Sequence, residues 1–540
     1  MKLNYKRVVF VGFAFFLICA FWQAYDNIIP KILTDKFGLP QTWSGAIMAL
    51  DNIFALFLLP LFGALSDKVN TKHGKRTPFI VIGTVVAAVL LITLAIPDRA
   101  QLAGIEAFSA NEGEAYVESL GAIWDENPEV SDWRTGEEEE TNIFKKLFSN
   151  LDAKKEPLQQ LITREEFTAI PRTVKVNGKD ATNPDYSDIV VPARQACAAR
   201  VTAGNVVPLI VFMTLLLLTL IAMGTYRSPA VALMPDVTVK PLRSKANAVI
   251  NLMGTAGGIF VLLLGILFGT GKTENALMSY TTFFAVVAGI MLIGLALFLW
   301  KVREPAWAAE MQEESERLGL DAPAEATEPT EMRTLSRGEK MSLLLILASV
   351  VLWFMGYNAV TSKYSVYAST VLNVDYNTTL LIAQGAAIAA YLPVGILSSK
   401  LGRKKMILGG VVILGASFFF ASFLGSDSPE TVKKILMPLL FALAGIGWAT
   451  INVNSYPMVV ELSRGGNVGK YTGFYYTASM AAQVVTPILS GVFLDLSFRT
   501  LFPYATIFVA LAFFTMLFVR HGDSRPDAKQ VALDAAGGDD

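Results

Sequence analysis

Three ionisable residues, Asp26, Asp51 and Arg227, lie inside long apolar runs of the sequence. A charged side chain at membrane depth costs several kcal/mol unless it is paired or hydrated, so such residues usually have a function. A carboxyl group in a shielded cavity can bind and release a proton, whereas an arginine stays charged and can pair with a carboxylate or donate to hydroxyl groups. We therefore expect Asp26, and next Asp51, to bind a coupling ion, with Arg227 as the partner of whichever carboxylate is ionised.

The helical rise gives an expected depth for each of the three. At about 1.5 Å per residue, Asp26 lies roughly 28 Å and Asp51 roughly 24 Å from the basic loops next to their runs. Arg227 lies only roughly 13 Å from the end of its own run by the same measure. We expect both acids in the half of the membrane remote from the basic loops, and no direct bridge between Asp26 and Arg227 unless the helix unwinds near Pro229. Either acid could instead form a static structural pair or face water.

The composition is that of an integral membrane protein. Of 540 residues, 53% are hydrophobic and 17% charged, with a mean hydropathy of +0.47, whereas a soluble protein is about a quarter charged. The net charge of −1 gives no basic excess for binding nucleic acid. Cys19 and Cys197 are too few and too differently placed for a disulfide framework, and His73 and His521 lie in basic segments. Any proton coupling must therefore use carboxylates, and we expect no metal or other cofactor.

About twelve apolar runs are long enough, at roughly 20 residues each, to cross a bilayer as helices. Lysine and arginine concentrate before the first run and in alternate short loops, at Lys6, Arg7, Lys68, Lys72, Lys75, Arg76, Lys240, Arg243, Lys245, Lys400, Arg403, Lys404 and Lys405. The positive-inside rule then places these loops and both termini in the cytoplasm. The first run leads directly into Pro30 and Lys31 without a small-residue cleavage site, so we expect a retained helix and not a signal peptide.

The sequence contains an internal repeat. Shifted by one constant offset, Phe21–Asp26 falls on Trp353–Asn358, and Lys31 falls on Lys363. Further along, the best offset is shorter by about the length of the polar stretch 98–203. We therefore expect two related sets of six helices, the first of which carries an insert.

The expected organisation follows from the runs, the loops and the repeat. It comprises three helices in 1–97, an extracytoplasmic insert at 98–203, three helices in 204–301, a cytoplasmic linker at 302–340, six helices in 341–520 and a cytoplasmic tail at 521–540. The insert is too long for a mere connection and is either a small ordered cap or a flexible loop. Its segment around 170–192 could form a hairpin. It offers no nucleophile and base, no metal-ligand spacing and no phosphate loop, so we assign it no chemistry.

Two motifs flank the loop between the second and third runs. Gly63-Ala-Leu-Ser-Asp67 is followed by Gly74-Lys-Arg-Thr-Pro-Phe-Ile80, and a degenerate copy, Gly395-Ile-Leu-Ser-Ser399, stands in the second half. With the two sets of six helices, these motifs resemble the major facilitator superfamily, and within it the sucrose/proton symporters and the glycoside–pentoside–hexuronide:cation symporters. The resemblance implies an all-α fold of two pseudo-symmetric six-helix bundles, transport by alternating access, and a monomer in the cell membrane.

Charged residues at neighbouring helix ends can close the cytoplasmic side by ion pairing and helix capping, then separate when the cavity opens. In the first half the gate candidates are Gly63, Asp67, Gly74, Arg76, Asp236 and Arg243. In the second half they are Arg403, Glu461 and Arg464, where Glu461-Leu-Ser-Arg464-Gly465 is similar to the Glu-x-x-Arg-Gly gate of sugar porters. The basic residues could instead merely follow the topology and pair with nothing.

By the same resemblance, helices one, four, seven and ten line a central substrate chamber. Its candidate residues are Trp22, Gln23, Tyr25, Arg227, Trp353, Tyr357, Asn358, Trp448, Asn452 and Asn454. A sugar needs donors and acceptors for its hydroxyl groups and aromatic rings for its C–H faces, and this set offers both. We expect cation-coupled symport of a sucrose- or maltose-like disaccharide or of a glycoside.

Two alternatives stay open at this point. One is a proton-driven exporter of drugs or metabolites, although the segment Gly254-Thr-Ala-Gly257-Gly258 lacks the proline of the antiporter signature. The other concerns the ion, because Asp26 and Asp51 could ligate Na⁺ if carbonyl oxygens complete the shell. A membrane enzyme is not expected, since the sequence offers no catalytic constellation.

Overall fold

The computed structural model describes residues 3–131, 155–176, 179–183, 185–239, 242–272, 275–317, 336–425, 428–462 and 468–522. The long helices in these ranges are α1 (Tyr5–Lys31), α2 (Leu50–Lys68), α3 (Thr77–Thr93), α4 (Val207–Asp236), α5 (Arg243–Phe268), α6 (Thr281–Lys301), α7 (Arg337–Tyr367), α8 (Tyr376–Leu401), α9 (Arg403–Ala421), α10 (Glu430–Glu461), α11 (Val468–Leu496) and α12 (Leu501–Leu517). Shorter helices are Gln41–Met48, Ala95–Gly104, Gly113–Glu126, Leu158–Leu161, Arg164–Thr168, Val191–Gly204 and Glu304–Arg317. Four strands, β1 (Glu129–Ser131), β2 (Lys155–Pro157), β3 (Thr173–Val176) and β4 (Lys179–Thr182), form the antiparallel pairs β1–β2 and β3–β4.

Eleven helical stretches of the described residues are long and apolar enough to cross a membrane. They include all or most of each long helix except α8, which is 26 residues long and whose side chains are described only in part. Helices that are apolar on all sides satisfy their backbone internally, as a bilayer requires. The predicted all-α membrane fold is confirmed, and the count of twelve spans rests on α8.

The two halves bury separate apolar cores and pack in the same way. In the first half α1 packs against α5 and α6, and in the second α7 packs against α11 and α12. Phe21 and Tyr25 belong to the first core, and Trp353 and Tyr364 to the second. The repeat that the sequence indicates therefore also appears in the packing.

Helices α1 and α7 end alike. Each continues into a π-helical turn, Ile32–Lys36 after α1 and Ala368–Leu372 after α7. The repeated lysines Lys31 and Lys363 precede these turns and are both fully buried. We call this end of the molecule, where the described residues of 98–203 also lie, the insert end, and the opposite end, which carries Arg76, the basic end.

The insert is an ordered cap in the parts that the structure describes. The third span continues past residue 97 as the helix Ala95–Gly104, so the cap begins later than predicted. The hairpin expected around 170–192 is formed by β3 and β4. The cap has an apolar core of its own, which includes Leu120, Ile123, Leu158, Phe167, Val190 and Ala193.

The predicted linker at 302–340 contains a helix, Glu304–Arg317, that its acidic sequence does not indicate. The helix is tied to the basic end of the first half. The Arg7 guanidinium lies 5.1 Å from the centre of the Trp307 ring and forms an ion pair with Glu310. The acidic composition does not predict this anchored helix, because the partners that hold the helix in place lie far away in the sequence.

The rate at which Cys197 is alkylated tests whether the cap is folded. It is 1% exposed, and burial raises the pKa of its thiol to about 12. Little thiolate, the reactive form, is then present at pH 8. In a Cys19→Ala variant we expect a maleimide at pH 8 to alkylate Cys197 roughly a thousandfold more slowly in the native protein than in the unfolded chain. Comparable rates would show that the cap opens freely.

Candidate functional site

Arg76 joins three charged or polar groups at the basic end. Its Nε donates to Asp236, at the end of α4, at 2.7 Å. The guanidinium also pairs with Asp67, near the end of α2, and donates to the Ser66 hydroxyl. Arg76 is only 6% exposed, whereas the side chains of Asp67 and Asp236 are 63% and 35% exposed, so salt screens the pair with Asp67 more than the pair with Asp236. The structure thus brings together Asp67, Arg76 and Asp236, as the gate hypothesis expects.

Gly63 and Gly74 allow close approach at this end. A Cβ atom on Gly63 would lie 2.8 Å from the Ser228 hydroxyl oxygen, so the glycine lets α2 approach α4. Gly74 has a φ of +106°, and a Cβ there would lie 2.3 Å from the carboxyl carbon of Glu304. Both close approaches therefore depend on glycine, which has no Cβ atom.

Glu304 is a residue of this site that the sequence analysis missed. Its carboxylate accepts hydrogen bonds from the backbone N–H groups of Lys75, at 2.6 Å, of Arg76, at 2.9 Å, and of Thr77, at 2.8 Å. The first N–H groups of a helix have no partner within the helix, and a carboxylate there also complements the helix dipole. Glu304 thus caps α3 and fixes the backbone of Arg76. The signal available in the sequence was an acid directly after the sixth span.

In the second half, Arg403 and Glu461 form the corresponding pair. Arg403 begins α9 and Glu461 ends α10, and the two side chains meet at 2.7 Å. This arrangement repeats that of Arg76, just before α3, and Asp236, at the end of α4. Arg464 lies outside the described residues.

Arg243 does not join the first-half cluster. It donates instead to the backbone carbonyls of Pro235, at 2.9 Å, and Thr238, at 3.1 Å. These carbonyls belong to the last turn of α4 and the loop after it, where a cation is favoured by the helix dipole. Arg243 therefore caps a helix, and Asp236 is left to Arg76.

Between the two ends, Trp22, Asp51 and Arg227 line one small cavity among α1, α2 and α4. The Arg227 guanidinium lies 5.7 Å from the centre of the Trp22 ring, within the range of a cation–π interaction. Asp51 accepts a hydrogen bond from the Asn52 side chain at 2.8 Å. Arg227 and Asp51 thus line the same cavity, although the helical rise puts them at different depths. Helix α4 stays helical through Pro229, and among the described residues no ion pair joins Arg227 to Asp26.

Asp26 belongs to the same charged cluster. It is half-buried on α1, and its charge interacts with those of Asp51 and Arg227. The cluster therefore holds two acids and one base. Arg227 can neutralise one carboxylate, and the other has to bind a proton or a cation, or stay hydrated.

The predicted chamber residues of the second half include a flat aromatic surface. The rings of Tyr357 and Trp448 stack with their centres 3.7 Å apart and their planes 2° from parallel. Phe354 packs edge-on against Trp448 at 5.1 Å. Such a pair offers an extended ring face of the kind on which an apolar C–H surface can lie.

Several predicted chamber residues carry buried polar atoms without a partner in the part of the chain that is described. They are Trp22 Nε1, Tyr25 OH, Trp353 Nε1, Asn358 Nδ2, Asn452 Oδ1 and Asn454 Oδ1. Buried polar groups in proteins normally have partners, so water or a polar ligand is needed to satisfy these atoms. Trp353 and Asn454 are fully buried, and Asn454 also donates to the Thr450 carbonyl at 2.9 Å. These two side chains therefore pack between helices.

Gln23, another predicted chamber residue, connects the two halves. Its Oε1 accepts a hydrogen bond from the side chain of Gln384, on α8, at 2.7 Å. Gly258, on α5, leaves room for this pair, because a Cβ there would lie 3.2 Å from Gln23 Oε1. Gln23 is thus placed both at the chamber and at the boundary between the halves.

At the insert end, the first of two junctions joins the helix Gln41–Met48 to the second half. Asp495, at the end of α11, accepts from the backbone N–H groups of Gln41, at 2.5 Å, and Thr42, at 2.8 Å. Lys363 donates to the Gln41 carbonyl at 2.8 Å. A Cβ on Gly45 would lie 1.9 Å from the Pro487 carbonyl oxygen, so the two helix backbones are in contact.

The second junction joins the loop after α5, in the first half, to the start of α8, in the second half. Lys31 donates to the carbonyl of Thr270, in the loop after α5, at 2.8 Å. The Thr270 hydroxyl lies 2.9 Å from the Tyr376 hydroxyl and accepts from the Asn377 side chain at 3.0 Å, both at the start of α8. The two junctions close the insert end of the molecule.

Family models match most of the chain. The model described as "Major Facilitator Superfamily" matches residues 195–390 and 376–536, and the model described as "MFS/sugar transport protein" matches residues 10–109.

Curated relatives match shorter stretches. "Sucrose transport protein SUC4" of Arabidopsis thaliana is 34% identical over 59 residues, which are 11% of this chain and 12% of that protein. "Putative glycoside/cation symporter YagG" of Escherichia coli (strain K12) is 32% identical over 82 residues, 15% of this chain and 18% of that protein. "Uncharacterized MFS-type transporter MJ1317" of Methanocaldococcus jannaschii is 29% identical over 129 residues, 24% and 30% of the two chains. The chain thus spans less than a third of the length of each of these relatives.

Solved structures match over nearly the whole length. The inward open conformation of the xylose transporter XylE from E. coli has a TM-score of 0.53 at 14% identity, covering 98% of this chain and 99% of that one. A D-xylose-proton symporter has a TM-score of 0.51 at 16% identity, covering 96% and 99%. At this identity the likeness shows the fold.

Replacing Glu304 tests the cap on α3. In Glu304→Gln the charge at the helix N-terminus and one acceptor oxygen are lost, so we expect the free energy of unfolding to fall by about 1–3 kcal/mol. The measurement is denaturant unfolding in detergent micelles. Glu310→Gln is the matched control, because the pair of Glu310 with Arg7 is exposed and should contribute less than about 1 kcal/mol. Equal effects would contradict the assigned cap.

Adding a methyl group at Gly45 tests the closed insert end. In Gly45→Ala the added Cβ forces α11 away, and overpacking of this kind costs about 1–3 kcal/mol. We expect backbone hydrogen exchange in Gln41–Met48 to rise about tenfold. Gly385→Ala is the control, because a Cβ there meets nothing within 4 Å. Unchanged exchange in both variants would show that the junction is looser than the structure indicates.

Proposed function

Because this chain belongs to the major facilitator superfamily, we propose that it is a secondary active transporter that imports a sugar together with a cation by alternating access. The resemblance drawn from the motifs around Gly63 and Gly74 is confirmed at the level of the family. The observation that carries the proposal is the cluster of Asp26, Asp51 and Arg227, in which two acids share one base.

The cluster supplies a site for the coupling ion. Arg227 keeps its proton and balances one carboxylate. The remaining carboxylate, which we assign to Asp26, binds a proton before the cluster is shielded from water, because an unbalanced charge is costly inside the membrane. Loaded with a proton, the cluster is neutral, and after release it carries a net negative charge, so the charge of the site changes within each cycle. Na⁺ in place of the proton would satisfy the same balance with Asp51 as a second ligand.

The aromatic and amide groups favour a sugar as the cargo. The stacked rings of Tyr357 and Trp448 offer a face for C–H groups, and Asn358 and Asn452 offer unpartnered donors and acceptors for hydroxyl groups. Arg227 can donate to a hydroxyl group as well, which links cargo binding to the charge of the cluster. The names of two relatives, a sucrose transport protein and a putative glycoside/cation symporter, agree with a disaccharide or a glycoside.

The distribution of basic residues sets the orientation in this proposal. The basic end faces the cytoplasm together with both termini, and the insert lies outside the cell membrane, as the positive-inside rule requires. A monomer suffices for the mechanism, since the cluster and the aromatic surface belong to one chain.

Uptake into vesicles tests the coupling. Under an inward pH gradient, with and without Na⁺, we expect labelled disaccharide to accumulate through the intact protein. In Asp26→Asn the accumulation should be lost while exchange of sugar across the membrane survives, because the site can no longer change charge. Asp185→Asn, an exposed substitution on the cap, is the control and should leave accumulation unchanged.

Two results would count against the proposal. Accumulation that survives in Asp26→Asn would remove Asp26 from the coupling site. A lack of sugar accumulation, with proton-driven loss of hydrophobic cations instead, would favour the exporter.

The aromatic surface can be tested by binding alone. In Trp448→Ala the stacked face is lost, so we expect the disaccharide Kd to rise about three- to tenfold, measured by isothermal titration in detergent. Trp300→Ala is the control, because Trp300 is 68% exposed at the end of α6 and should leave the Kd unchanged. An unchanged Kd in Trp448→Ala would place the cargo elsewhere.

A further inference from the structure

The cap packs closely on the first half. We call this contact, between the helix Val191–Gly204 and residues 35–38, the seat. Gln195, on the helix Val191–Gly204, donates to Asp35 at 2.9 Å, and Thr202 on the same helix donates to the Phe37 carbonyl at 2.9 Å. Between these contacts, Gly38 has a φ of +65°, and a Cβ there would lie 2.3 Å from the Ala199 backbone nitrogen. The helix therefore lies directly on the chain that leaves α1, and the cap should move with the first half.

A buried ion pair within the first half fixes the chain on which the cap rests. Lys36 and Asp98 meet at 2.6 Å with no exposed side-chain surface, and Lys36 also donates to the Met278 carbonyl at 2.7 Å. Gln101 donates to the carbonyl of Lys36 at 2.8 Å and to Thr202 at 2.9 Å. Removing one member of a buried pair is costly, so Lys36 is held firmly, and Gln101 connects its carbonyl to the cap through Thr202.

The cap also touches the second half. Its turn Tyr186–Val190 contacts the π-helical turn Ala368–Leu372 that follows α7. The seam between them holds a cavity of about 20 Å³, room for one water. Residues of the cap, of the first half and of the second half line it together, among them Gln195, Asp35 and Thr370. The cap, the first half and the second half thus meet at this seam.

We infer that the cap is a latch for the insert end, carried by the first half and closed against the end of α7 in the second. The inference rests on the proposed alternating access, because only a protein that opens at the insert end has to break this contact. Both ordinary junctions of that end, at Gln41 and at Thr270, lie where the halves meet. Among the described residues, the cap adds a further contact between the halves, made by a segment that the repeat indicates to be extra.

The latch has a defined effect on the cycle. Every contact that exists only in the closed state lowers the population of the open state. Opening at the insert end must therefore separate the turn Tyr186–Val190 from Ala368–Leu372, while the seat on Gly38 stays intact. A link across the seam should hold the insert end closed, and a link within the seat should not.

Reversible cross-linking separates these two cases. In a Cys19→Ala, Cys197→Ala background, Gln195→Cys with Thr370→Cys places one thiol on each side of the seam. Gln195→Cys with Asp35→Cys places both thiols on the first half and is the matched control. Each pair is joined by a short bifunctional thiol reagent and released by a reductant. The measurement is backbone hydrogen exchange in Gln41–Met48 before and after release, with no cargo present.

We expect the link across the seam to slow this exchange at least tenfold, with full recovery on release, and the control link to change it less than twofold. Equal exchange with and without the link across the seam would overturn the latch, since the insert end would then open with the cap still attached to α7. Failure of Gln195→Cys and Thr370→Cys to link at all, where the control pair does link, would overturn it as well. Because no sugar is used, the effect of the cross-link on hydrogen exchange can be interpreted even if the proposed sugar transport is wrong.

Discussion

A charge removed from water needs a counter-group nearby, and in this molecule the counter-groups come from distant parts of the chain. Glu304 follows α6 yet accepts from the backbone before α3. Lys36 follows α1 and pairs with Asp98 beyond α3. Asp495 ends α11 and caps the helix Gln41–Met48 of the other half. Each of these groups therefore determines which helix ends lie together, and the arrangement of the bundles depends on them.

The same requirement explains why the two halves look alike at their ends. Arg76 with Asp236, and Arg403 with Glu461, place a base near the start of one helix against an acid at the end of the next. At the insert end, Lys31 and Lys363 each donate to a carbonyl at a junction between the halves. The partners differ, since Lys363 reaches the opposite half directly. The two halves thus share the position of this lysine, although its hydrogen-bond partner differs between them.

The sequence predicts those features whose signal is local. Apolar runs predict the helices, and opposite charges at adjacent helix ends predict the contacts of Asp67 with Arg76 and of Arg403 with Glu461. Features that depend on which helices are neighbours could not be predicted. Glu304 lies in an acidic stretch with no sign of burial, and Gln23 faces Gln384 across a boundary that the sequence does not define.

The site shows the same division between local and distant signals. Asp26, Asp51 and Arg227 stand out because ionisable residues are rare in apolar runs. Their mutual placement was harder to predict, because a rise along the helix axis ignores the length of a side chain. The arginine side chain is long enough to bring Arg227 into the cavity that Asp51 lines. The sequence does not decide whether the insert is an ordered cap or a flexible loop, because the core residues of the cap show no single periodic pattern.

The seat of the cap on Gly38 has a mechanical consequence. A body fixed rigidly to one half and projecting beyond the helix ends acts as a lever, so a tilt of that half through a given angle displaces the far side of the cap more than any point within the bundle. The cap therefore amplifies the relative rotation of the halves into a movement at the surface. A binding protein that recognises the cap and the start of α10 or α12 together would distinguish the two orientations by distance alone.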